Sequence, residues 1–142
     1  MFDHISIGVD DLGGAKAFYD PALKKLGYRC LYEDKSSLGY GVDKVSFWVL
    51  ATPASGSLND FPGLHFCFSA PSRESVDAFH AAALKKGGKD NGAPGIRPDY
   101  GADYYAAFVV DPHGYRLEAY CAAAYRQLHS ERRLWRHCAE TS

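Results

Sequence analysis

Two histidines, His4 and His65, open stretches of sequence that follow one plan. From His4 the chain reads His-Ile-Ser-Ile-Gly-Val, and from His65 it reads His-Phe-Cys-Phe-Ser-Ala. In each half a phenylalanine (Phe18, Phe79) follows 14 residues later and a glycine (Gly27, Gly88) 23 residues later. Imidazole nitrogens bind divalent transition metals and exchange protons near neutral pH. A third group joins them: Glu118, the only acid in Tyr-Arg-Leu-Glu-Ala-Tyr. A carboxylate in a strand rich in apolar and aromatic residues is costly to bury unless it is paired, protonated or metal-bound. Two imidazoles and a carboxylate are the donor set of an open metal site that leaves positions for water or substrate. A lone strand histidine is more often a hydrogen-bonded structural residue. The repeat at equal spacing is what points to a shared site.

The elements that would position these groups are legible from periodicity. Residues 2–9 alternate, with Ile5, Ile7 and Val9 on one face and His4, Ser6 and Gly8 on the other, as a strand with two unlike faces requires. Asp10 and Asp11 offer helix caps, and Leu12, Ala15, Phe18, Ala22, Leu23 and Leu26 follow at helical spacing up to Gly27. Pro21 should kink or divide that helix near Tyr19–Asp20. A second strand is expected from Tyr28 to Glu33, serine and glycine punctuate 36–41, and Val45–Ala51 is the strongest strand signal of the first half. Residues 52–63 form a loop between modules.

The second half repeats the plan. A strand spans 64–70, with His65, Cys67 and Ser69 on one face, and a helix spans about 72–86 with Ser72 as its cap. Lys89–Asp103, rich in Gly and Pro, reads as a long loop. Strands at 104–110 and 115–121 flank the turn Asp111-Pro112-His113-Gly114. Beyond Cys121 an arginine-rich stretch reads as a terminal helix, its basic face solvated. The fold class expected is α+β: two βαβββ modules forming an open, cleft-enclosing mixed β-sheet, plus a C-terminal helix.

Composition narrows the partners. The chain has 142 residues, 46% hydrophobic, enough for one domain with a real core. A net charge of −1 argues against broad attraction to nucleic acid or an anionic membrane. No apolar run approaches a membrane span and no leader pattern opens the chain, so the cytoplasm is the expected location. Cys30, Cys67, Cys121 and Cys138 are scattered, without a Cys-x-x-Cys pair, and read as free buried thiols.

The chain resembles the vicinal oxygen chelate superfamily, the glyoxalase, bleomycin-resistance and extradiol dioxygenase group. The resemblance rests on His4 in His-Ile-Ser-Ile-Gly-Val-Asp-Asp-Leu, Phe18-Tyr19 before Leu26-Gly27, His65, and Asp111-Pro112-His113-Gly114-Tyr115-Arg116-Leu117-Glu118. It covers residues 1–121, with modules of about 1–55 and 63–121, and leaves 122–142 as a tail. Asn91-Gly92-Ala93-Pro94-Gly95-Ile96-Arg97-Pro98 with Tyr100, Tyr104 and Tyr105 resembles a glyoxalase-like subgroup.

The resemblance implies metal ligands at His4, His65 and Glu118, with Glu118 also catalytic, and a divalent cofactor such as Zn, Ni, Mn or Fe. It implies a fourth position on the last strand of the first module, where glyoxalase I has a glutamate. Matching the hairpins puts Phe47 there, or Trp48 if the register slips by one. Neither can ligate or take a proton, which weakens a glyoxalase I reaction. A three-ligand site resembles the fosfomycin-modifying transferases and the extradiol dioxygenases. Such a cation would polarise two neighbouring oxygens of a small oxygen-rich metabolite, with lyase, isomerase, transferase and dioxygenase chemistry all open. Arg97 would pair with a substrate carboxylate or phosphate. Phe47, Trp48, Tyr100, Tyr104 and Tyr105 would line the pocket. A homodimer is the expected assembly, with the modules paired within one chain or across two. The alternative is a metal-free protein that sequesters a small molecule, as bleomycin-resistance proteins do.

Overall fold

A computed structural model describes residues 2–53 and 63–122. Ala122 ends a strand, and residues 123–142 of the expected C-terminal helix and most of the inter-module loop lie outside the described residues. The element order is β1 (Ile5–Val9), α1 (Leu12–Lys24), β2 (Arg29–Glu33), β3 (Ser37–Gly41), β4 (Val45–Ala51), β5 (Phe66–Ser69), α2 (Arg73–Lys85), β6 (Lys89–Ile96), β7 (Tyr104–Val110) and β8 (Arg116–Ala122). This is βαβββ twice over.

Each module forms a four-stranded mixed sheet of identical order, β1-β4-β3-β2 and β5-β8-β7-β6. The first strand of each pairs in parallel with the last, and the remaining pairs are antiparallel. Both helices start as the sequence dictates. Asp11 caps α1 by accepting the Gly14 amide at 2.9 Å, and Ser72 caps α2 through Ser75 at 3.2 Å. Gly27 (φ 88°) and Gly87 (φ 92°) turn the chain out of the helices in the left-handed region.

Two expectations are corrected here. Helix α1 is not divided at Pro21, because Phe18, Tyr19, Ala22 and Leu23 on both sides of the proline are buried in one core. Lys89–Asp103 is not simply a loop, since its first half is strand β6. Its glycines and proline fall where the register shifts, between Asp90 and Gly92 and between Gly92 and Gly95. Bulges on an edge strand tolerate those residues.

One core serves both modules: Ile7, Val9, Phe18, Tyr19, Phe47 and Val49 from the first, and Phe68, Val76, Phe79, Val109 and Leu117 from the second. Phe47 meets Phe66 and Phe68 across the junction at ring-centroid distances of 6.4 and 5.3 Å. Three tyrosines tie the halves together. Tyr19 donates to Asp111 Oδ2 at 2.5 Å, and Tyr28 donates to the Ser69 carbonyl at 3.3 Å. The Tyr115 hydroxyl donates to the Gly8 carbonyl (2.7 Å) and accepts from the Gly8 amide (3.1 Å), so it satisfies the free edge of β1.

Candidate active site

With the helices packed on one face of the sheets, period-2 alternation sends His65, Cys67, Glu118, Tyr120, Tyr104 and Phe108 to the other face of the second module. Cys67 stands opposite Glu118 on β8, and Phe108 opposite Glu118 on β7. At the centre is Glu118, only 2% exposed. Its Oε1 accepts the Tyr104 hydroxyl at 2.6 Å and its Oε2 lies 2.9 Å from His65 Nε2. An ionised carboxylate only accepts, so in that state the bridging proton sits on Nε2. Burial, together with the bond to Glu118, pushes the Tyr104 phenol well above its ordinary value, keeping it a proton donor. Tyr120 stacks on Tyr104 at 3.9 Å and Tyr100 meets its edge at 5.3 Å.

Cys67 is the residue that sequence reasoning missed. It stands opposite Glu118 across the β5–β8 pair, and burial first, then the Glu118 charge, pushes its thiol up to about 12. The residue as a whole is exposed, yet it lies on the same face as the carboxylate. The signal was available, because a residue two positions from His65 in a strand shares its face.

The other expected site residues divide. His4 sits one residue before β1, as His65 sits one residue before β5, but its Nδ1 is 3.0 Å from Asp3 Oδ2, and Asp3 also binds Lys44 at 2.5 Å. Those two partners hold the Asp3 carboxyl down at about 2. Among the described residues no three His, Cys, Asp or Glu side chains gather closely enough to hold a metal. His65 and Glu118 stand as a pair, while His4 Nδ1 is bonded to Asp3.

Phe47 does not occupy the fourth position. It is 4% exposed, buried against Tyr19 and Phe68, because it pairs with Ile5 on the helix-facing side. Trp48 is the residue at that register, pairing with Ser6 as Glu118 pairs with Cys67. Its ring meets Tyr32 at 5.3 Å and lies over Gly39, where a Cβ would stand 3.0 Å away. Tyr105 is likewise on the far side: its hydroxyl donates to Asp77 of α2 at 2.7 Å and Arg73 lies over its ring. Arg97 is on the open face, its guanidinium carbon 5.4 Å from the centre of the Phe108 ring, which also meets His65 at 6.4 Å. His80, expected to be partly exposed on its helix, is 9% exposed and bonded to Asp90.

The comparisons agree with this architecture. The family model of the glyoxalase/bleomycin resistance protein/dioxygenase superfamily matches residues 1–119, and the chain belongs to that family. A glyoxalase/bleomycin resistance protein from Albidiferax ferrireducens T118 is similar at 33% identity, covering 85% of this chain and 98% of its own, with a TM-score of 0.74. Two more distant structures share the fold. A glyoxalase/bleomycin resistance protein/dioxygenase family enzyme from Burkholderia phytofirmans PsJN is 18% identical (84% and 97% covered, TM-score 0.64). The fosfomycin resistance protein FosX from Listeria monocytogenes is 15% identical (89% and 97% covered, TM-score 0.65). The comparison with curated proteins returns no match.

Proposed function

We propose that the protein is a divalent-metal-dependent enzyme acting on a small oxygen-bearing metabolite, with residues 1–121 as its working unit. The observation that carries this reading is the buried Glu118 carboxylate with His65 Nε2 at 2.9 Å, on the register that the repeat gives to a ligand pair. An imidazole and a carboxylate are ordinary donors for Zn, Ni, Mn or Fe. His65 and Glu118 would hold the cation, which when bound polarises adjacent substrate oxygens. His4 is the third ligand in this reading. The modules are locked together by Tyr19–Asp111, Tyr115–Gly8 and the Phe47 contacts. On that ground we assign the third donor to a second copy of the chain, which makes a homodimer part of the proposal.

The chain's own groups would do the rest. The Tyr104 phenol orients Glu118 through Oε1 and keeps a proton available beside it. Trp48, Tyr100 and Arg97 would line the substrate, while Tyr105 and Phe47 would not. Among the described residues no helix is long and apolar enough to cross a membrane, and a cytoplasmic location belongs to the same proposal.

Zinc or manganese titrated into metal-stripped protein should bind at about one per chain, the His65 ring proton passing from Nε2 to Nδ1 so that Nε2 can ligate. H65A and E118Q should each abolish that binding while leaving the fold intact. Stoichiometric metal retained by both variants would overturn the reading. One observation favours the alternative, a metal-free small-molecule binder: at the register where the second module has Glu118, the first has Trp48. Ligand retention without any metal response would select it.

A further inference from the structure

We infer that the molecule held on the open face of the second module is an aromatic carboxylate, and that Arg97 is the residue that selects its charge. This rests on the reading of that face as the substrate site. Strand β6 is built around the Arg97 guanidinium. At Gly92 (φ 148°) an added Cβ would stand 2.9 Å from Phe108 Cδ2 and 3.4 Å from Arg97 Nη2, and at Gly95 it would stand 3.2 Å from Nη1. The register shifts on both sides of Gly92 leave the Ala93 carbonyl to accept a hydrogen bond from Nη2 at 2.5 Å. The Phe108 ring supports the remaining side, 5.4 Å from the guanidinium carbon. Two glycines, a carbonyl and a ring thus hold the fork in place.

What the fork lacks is a counter-ion. No carboxylate among the described residues pairs with Arg97, and only one of its five N–H donors has a named protein acceptor. Arg73, by contrast, lies 3.8 Å from the Asp103 carboxylate. A half-buried, preorganised guanidinium with free donors matches a planar carboxylate in two-pronged fashion. Phe108 lies between Arg97 and His65, so a ligand bound beside His65 and Glu118 reaches the fork along that ring. Tyr100 and the Tyr104–Tyr120 stack supply aromatic faces for the ligand's body.

The test uses benzoate as probe, with benzamide as its neutral counterpart, acetate as the ringless acid and inorganic phosphate as the competing oxyanion. Each is titrated by NMR into the full chain, following the Arg97 Nε–H and the Gly92 and Gly95 amides. Benzoate should bind at least ten-fold more tightly than benzamide, acetate or phosphate and shift those three signals. R97Q should lose that preference, and R97K, which keeps the charge but not the fork, should lose most of it. Equal binding of benzoate and benzamide by the wild type overturns the inference, whether or not the variants fold. Phosphate outcompeting benzoate overturns it too. Zinc titrated into the same samples reports separately on His65 and Glu118. Zinc bound without benzoate preference sinks this inference alone, and benzoate bound without zinc upholds it while sinking the metal reading.

Discussion

Two buried acids of the second module have different neighbours and therefore different consequences. Glu118 is flanked by a histidine, a phenol and a thiol. Asp111 accepts from Tyr19 and from the amides of His113 and Tyr115, which closes the turn between β7 and β8. Burial still raises the Asp111 carboxyl above its ordinary value, despite those bonds. The folded state thus holds that proton more tightly than the unfolded one. The contribution is full below the unfolded pKa of about 3.9 and is lost as pH rises through the folded value. Urea unfolding of wild type and D111N between pH 3 and 6 should show wild type losing ground to the variant as pH rises; a gap that is constant or widens the other way counts against this account. Cys67 carries the second residue-scale prediction. With its thiol pushed up to about 12, it should react with iodoacetamide at pH 8 far more slowly than an ordinary thiol, despite the exposure of the residue. E118Q removes the adjacent negative charge and should speed that alkylation. Peptide mapping by mass spectrometry would read the rate at Cys67 alone, and equal rates in both proteins would contradict it.

At the scale of the elements, a single register decides what the first module contributes. Phe47 and Trp48 are neighbours in β4 but point to opposite faces, one into the shared core and one over Gly39. F47A should therefore cost about 3–5 kcal/mol in urea unfolding, the range for a buried phenylalanine cut to alanine. W48A should cost less than about 2 kcal/mol, as expected of a partly exposed side chain. A reversal of that order would put the register in error. The same pair shows what the sequence could and could not disclose. The capped helices and the strand Val45–Ala51 were legible because each is a short-range pattern, and the two histidines because the spacing around them is repeated in both halves. The choice between Phe47 and Trp48 was not, since it depends on the pairing of β4 with β1, which no local pattern states. Tyr105 failed for a related reason: Tyr104 and Tyr105 look alike in sequence, and only the pairing of β7 with β8 separates the tyrosine on Glu118 from the one on Asp77. β6 was hidden because glycine and proline, which ordinarily signal a loop, here mark the bulges that hold Arg97.

At the scale of the whole molecule, the duplication sets up two halves that are alike in backbone and unlike in chemistry. His4, Ser6 and Trp48 stand where His65, Cys67 and Glu118 stand, so of these two matched sets only the second holds a carboxylate beside its imidazole. His4 lines a small hollow with Phe66, Cys67 and Phe68 at the module junction, but its ring is engaged with Asp3. Moving one module against the other to bring His4 onto Glu118 would tear Phe47 from Phe68 and Tyr115 from Gly8, contacts that belong to the one core both helices cover. Rigidity of this kind leaves association as the cheaper route to a third ligand. The consequence can be measured without knowing the substrate. H4A and E118Q should each fail to bind zinc alone. If the site forms between two copies, a mixed dimer carries both defects at one site and none at the other. Unfolding the two variants together and refolding them should then restore zinc binding to a fraction of the chains, and sedimentation should find that zinc on a dimer. If the three donors instead converge within one chain, mixing restores nothing.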